Sequence, residues 1–152
     1  MSFLAKAFAL TLATLPLSLQ AQDWPNLDAV LFQTLANKPA HVEGSYFFPN
    51  HPDPAQATEA LGFVYEWIEG SAGSVSIAVG RYALNQPGPQ FTYLGPISQI
   101  WGHGPRDPAF YPDRIEVTLT TLKDGEPRCC PTGETRYTID RTTGSASTLW
   151  TR

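Results

Sequence analysis

The chain has 152 residues, 42% hydrophobic, 12% aromatic and only 16% charged, with 14 prolines and 12 glycines. That length suits one core, and this composition excludes a coiled coil or long-helix bundle, while four Trp, six Tyr and eight Phe exclude bulk disorder. A formal net charge of −4 leaves no basic footprint for nucleic acid or an anionic membrane surface.

Residues 1–21 read as a secretory signal peptide. Lys6 is their only charge, residues 7–19 form an apolar run of h-region length, and Ala21 places a small residue at the cut. Pro16 interrupts the run, which is shorter than the roughly 20 residues a bilayer span needs. Residues 22–152 are then a single exported domain, periplasmic or secreted, with no membrane span after cleavage. An oxidising compartment follows, and no cofactor is expected.

Asn26 can cap a helix with Asp28 in its first turn, and Lys38-Pro39 close it. Val30, Leu31 and Leu35 give it an apolar face suited to covering a sheet. Residues 39–57 are dense in Pro, Gly, His and Asn, which points to a long loop. Tyr46, Phe47 and Phe48 in its middle either plug the core edge or form a contact surface.

Strand patterns begin at Leu61. Phe63, Tyr65 and Trp67 alternate with Val64, Glu66 and Ile68. A Gly/Ser turn precedes a second strand through Val75, Ile77 and Val79, and Phe91, Tyr93 and Leu94 make a short one. Residues 101–112 (WGHGPRDPAFYP) read as a Gly/Pro loop. Ile115, Val117 and Leu119 then face inward while Glu116, Thr118 and Thr120 face out, and Asp124-Gly125 signals a hairpin. Residues 134–140 and 145–150 supply the last strands. The expectation is an α+β domain: a mostly antiparallel sheet of five or six strands, with one N-terminal helix packed on a face.

Cys129 and Cys130 are adjacent and are the chain's only cysteines. Neighbouring Cα atoms lie about 3.8 Å apart, below the usual disulfide range, so a vicinal bridge is a strained local turn. An oxidising compartment and the flanking Pro127 and Pro131 favour it. Separately packed thiols and a redox or metal role are the alternatives, although no third ligand or Cys-X-X-Cys spacing accompanies the pair.

Residues 124–132, Asp-Gly-Glu-Pro-Arg-Cys-Cys-Pro-Thr, resemble the Asp-Pro-x-Cys-Cys-Pro-Ser/Thr segment of small exported bacterial proteins, including the LppP/LprE-type lipoproteins. The resemblance extends loosely over residues 61–140. It implies export and a β-rich domain, and it carries no enzymatic role. The acidic turn found in many of those proteins is replaced here by Glu66-Trp67-Ile68-Glu69-Gly70, which lacks the acid spacing that calcium needs.

The remaining candidate chemistry is sparse. His41, Glu43, His51, Asp53 and His103 are possible metal ligands, but their spacing matches no compact site. Glu66 or Glu69 with Asp107 or Asp113 could make a hydrolase pair, although Glu66 alternates on a strand as a solvent-facing acid would. Trp101, His103 and Arg106 place an aromatic, a base and a cation on one irregular stretch, the kind of segment that carries binding. The sequence thus points to a non-enzymatic exported domain binding a protein or envelope ligand through Trp101, His103, Arg106, Tyr46 and Phe47. A small hydrolase using His103 and nearby acids is one alternative, and a thiol-redox protein using Cys129 and Cys130 is the other.

Overall fold

The computed structural model describes residues 23–86 and 88–152. The expected signal peptide, residues 1–21, lies outside the described residues. Helix α1 (Leu27–Leu35) and a short 3-10 turn (Pro39–His41) precede eight strands. These are β1 (Val42–Pro49), β2 (Glu59–Trp67), β3 (Val75–Asn85), β4 (Gln90–Pro96), β5 (His103–Phe110), β6 (Arg114–Thr121), β7 (Gly133–Asp140) and β8 (Ala146–Thr151).

The strands form two four-stranded sheets, β1-β2-β3-β4 and β5-β6-β7-β8, with antiparallel pairing throughout both. The one-helix, mostly antiparallel character agrees with the sequence reading. The expected single sheet of five or six strands is corrected to two sheets, and two edge strands make the difference. Strand β1 runs through the expected 39–57 loop, and β5 through the expected 101–112 loop. Strand β5 holds Gly104, Pro105 and Pro108, and its pairing with β6 slips twice, so no period of two survives in its sequence. Proline is tolerated there because an edge strand has one side that needs no N–H donor.

The sheets pack face to face. Leu61, Phe63 and Tyr65 of β2 and Val79 of β3 meet Ile115, Val117 and Leu119 of β6, with Tyr137 and Ile139 of β7. On the outer side of the first sheet, Leu31 and Leu35 of α1 pack with Ala60, Val64, Tyr82 and Leu84. Strand β2 is therefore covered on both faces. Asn26 caps α1 by accepting a 3.1 Å bond from the Ala29 N–H.

Glu66 corrects a sequence expectation. It is 5% exposed, not solvent-facing, and its carboxylate accepts from the Lys38 N–H at 2.6 Å and from Asn37 Nδ2 at 3.3 Å. It satisfies the backbone leaving α1. Glu69 is paired with Lys38 at 2.8 Å on the surface.

Glu116 and Thr118 do lie on the outer face of the second sheet, yet both are buried. Arg114 Nε and Arg136 Nε donate to the two Glu116 oxygens at 2.9 and 3.0 Å, and Arg136 also reaches Thr118. The Arg114 hydrogen bond, aided by Arg136, holds the Glu116 carboxyl below its ordinary range. At one end of the sandwich, Arg141 clamps Glu59 at 2.5 and 2.8 Å, and a Ser98–Ser145 bridge ties the linker after β4 to the start of β8.

Candidate functional site

The segment between the sheets carries Trp101 to the surface on a fixed backbone. Tyr137 Oη donates to the Trp101 carbonyl at 3.0 Å, and Tyr65 Oη donates to the Gly102 carbonyl at 3.1 Å. Both tyrosines come from the inter-sheet core, and burial pushes both phenols up. Gly102 has φ +129°, a conformation L side chains rarely adopt. The indole of Trp101 is 61% exposed and meets the Tyr137 ring edge-on at 6.0 Å.

A hollow of 410 Å³ opens beside it, within the range of small-ligand sites. Its inner wall is made by buried Tyr137, Thr121 and Thr135. The threonine hydroxyls form a chain: Thr121 to Thr135 at 2.8 Å and Thr135 to Thr151 at 3.2 Å. Exposed Trp101, Leu122 and Arg128 stand at its outer side, and His103 lines it from the start of β5. His103 stacks on Tyr65 with centroids 5.7 Å apart, and it also borders a second hollow of 310 Å³ with Tyr46, Glu43 and Gly44.

Arg128 is placed by a tightly bonded loop. The Cys130 N–H donates to the Pro127 carbonyl at 3.1 Å, so Arg128 and Cys129 are the middle residues of one turn. The Glu126 carboxylate closes the loop, accepting from the N–H groups of Lys123 and Thr132 at 3.0 Å each and from the Thr132 hydroxyl. The Lys123 backbone bond, followed by those from Thr132, holds the Glu126 carboxyl down at about 2. The Asp124-Gly125 signal is thus one corner of a larger loop between β6 and β7.

Of the sequence-derived site residues, Trp101 and His103 share the larger hollow, and Tyr46 shares the smaller one with His103. Phe47 points to the opposite side of β1. It packs edge-on with Trp24 at 5.7 Å and Phe91 at 5.5 Å, beneath α1. Arg106 is bound to Glu134 and, at 2.9 Å, to Thr120. Cys129 and Cys130 are exposed free thiols in this structure, where the sequence reading expects a bridge. Hydrogen bonding with Cys129 pushes the Cys130 thiol up.

Among the described residues no group of three metal-ligating side chains converges. His51 instead accepts from the Asp53 N–H at 3.0 Å, and Asp53 caps a turn at Ala55. Asp113 pairs with Arg114 at 3.2 Å. Sequence reasoning missed Arg128 and the threonine chain. No local motif marks them, because four separate segments supply them.

Comparison with known proteins gives no match: no family model, no curated protein and no solved structure matches the chain.

Proposed function

We propose that this chain is an exported, non-enzymatic binding domain that holds an envelope ligand at the Trp101–His103 end of the sandwich. The observation that carries the reading is an indole 61% exposed on a backbone pinned by two buried tyrosines. A rigidly presented aromatic loses little freedom on binding, and such anchors dominate binding energy. The larger hollow sets this indole beside one histidine, one arginine and several hydroxyls, a lining suited to holding a small ligand. The Cys-Cys-Pro resemblance and the export segment support the compartment.

Mass analysis of material extracted from protein purified out of its own envelope tests this. Wild type is expected to carry a bound molecule. Trp101→Ala should lose it, since truncating an anchor of this kind costs about 2 kcal/mol, or roughly thirtyfold in affinity. Equal retention by the variant sinks the reading.

In the same reading the cysteines close a vicinal disulfide that shapes the Arg128 turn. Exchange with an oxidised dithiol catalyst forms the S–S bond, and the catalyst leaves with both electrons and both protons as its reduced dithiol. Because the ring closes almost no loop, Cys129→Ser/Cys130→Ser should cost well under the roughly 2–5 kcal/mol of an ordinary native disulfide. Thiol titration of unfolded, unreduced exported protein should find no free thiol. Two would show that the bridge does not form.

A further inference from the structure

We infer that the larger hollow selects small anionic amphiphiles, molecules with an apolar or aromatic body and one carboxylate, sulfonate or phosphate group, and that Arg128 is the selecting residue. This rests on the binding reading above and adds the chemistry of the ligand.

The lining of the hollow combines apolar and polar groups. Trp101, Leu122 and Pro131 offer apolar surface, and Trp101 and Leu122 are 61% and 46% exposed. An apolar body covering them removes that surface from water. Its polar lining includes the guanidinium of Arg128, the imidazole of His103 and the hydroxyl of Thr120, groups that can donate to an anion, and the Thr121–Thr135–Thr151 hydroxyl chain, which has one proton left over from its two internal bonds. Among the described residues no carboxylate lines this hollow.

Arg128 differs from the other arginines that face the second sheet. Arg106, Arg114, Arg136 and Arg152 are each tied to Glu134 or Glu116. Among the described residues no carboxylate lies within ion-pair distance of Arg128. The nearest acid in sequence, Glu126, is committed to Lys123 and Thr132. That commitment does two things at once: it sets the turn carrying Arg128, and it keeps the Glu126 charge occupied within its own loop. The guanidinium is left with its fork of donors free for the oxygens of an anionic group.

The test uses a matched pair of fluorescent probes on the full exported protein. Anilinonaphthalene sulfonate and phenylnaphthylamine share one aromatic skeleton and differ by the sulfonate. Both are followed by energy transfer from tryptophan, with Trp101→Ala as the control for location. The sulfonate is expected to bind about tenfold more tightly, the worth of one hydrogen bond to a charged group. Arg128→Gln should bring the two probes to parity, and Arg128→Lys should restore part of the preference. Raising the salt concentration should erode the preference as well. Equal binding of both probes to wild type, or a preference that survives Arg128→Gln, overturns the anion selectivity while leaving the binding site intact. If neither probe binds in a Trp101-dependent way, the binding site itself is refuted. Thermal unfolding of Arg128→Gln is expected to match wild type, because Arg128 is exposed and makes no ion pair.

Discussion

Gly62→Val is expected to unseat helix α1 and lower stability by about 3 kcal/mol, at the upper end of overpacking costs. Gly62 of β2 is paired with Gly80 of β3, so two side-chain-free positions lie together on the outer face of the first sheet. The helix fills the groove they leave. A Cβ at Gly62 would overlap Leu31 Cδ2 and approach Tyr82 Cε2 to 2.8 Å. A Cβ at Gly80 would come within 2.8 Å of Leu35 Cδ2 and 2.7 Å of the Tyr93 ring. Leu31 and Tyr82 are essentially fully buried, so neither has free space to retreat into. Tyr82 is also held by a 2.6 Å hydrogen bond between its hydroxyl and Thr34 of the helix. Denaturant unfolding with both far-UV and aromatic signals measures the loss. The double variant Gly62→Val/Leu31→Ala should recover part of it, because the two changes act on one space and are not additive. Single-variant stability within about 0.5 kcal/mol of wild type, the usual range for harmless surface changes, would show that α1 does not sit in this groove.

The elements legible in the sequence are those whose pattern is set by one neighbour at a time. Asn26 and Leu31/Leu35 announce α1 because a cap and a single buried stripe are local facts. Ile115, Val117 and Leu119 announce β6 because every second side chain meets the opposite sheet. The missing strands fail for the converse reason. β1 has partial burial on both faces, and β5 is slipped twice by bulges, so neither keeps a period. Without them the count of strands supports one sheet, and a second sheet cannot be inferred. Glu66 misleads in the same way: alternation makes it a solvent-facing acid, but Asn37 and Lys38 just after α1 cover it, whereas Glu116 does lie outward and is covered there by arginines. The site is half-visible. Trp101 and His103 stand out as chemistry on an irregular segment, whereas Arg128 and the threonines join them only through the folding of β6, β7 and β8 around one end. Phe47 illustrates the cost of reading β1 as a loop, since strand alternation sends it away from Tyr46.

Gly102→Ala is expected to cost about 3 kcal/mol, combining backbone strain of this class with overpacking, and to abolish probe binding at the larger hollow. The residue joins the inter-sheet core to the exposed indole. At φ +129° it occupies a region that is essentially restricted to glycine. An added Cβ would also stand 2.7 Å from the Thr120 carbonyl and 2.9 Å from Leu119 Cβ, both on β6 at the edge of the hollow. Backbone of a paired strand cannot yield as a flexible side chain would. The segment must therefore move, and the hydroxyl bonds from Tyr65 and Tyr137 to residues 102 and 101 are lost with it. Gly104→Ala separates strain from crowding. Gly104 also has positive φ, +52°, but a Cβ there has only Thr120 Oγ1 at 4.0 Å. It should cost about 1–2 kcal/mol, the penalty of the left-handed region alone, and leave probe binding in place. Near-UV circular dichroism supplies an independent reading of the Trp101 environment: its aromatic signal should collapse in Gly102→Ala at temperatures where the far-UV sheet signal persists, and survive in Gly104→Ala. Equal costs for the two variants with an unchanged tryptophan signal would mean that Gly102 does not fix Trp101, and the rigid anchor on which ligand binding rests would be gone.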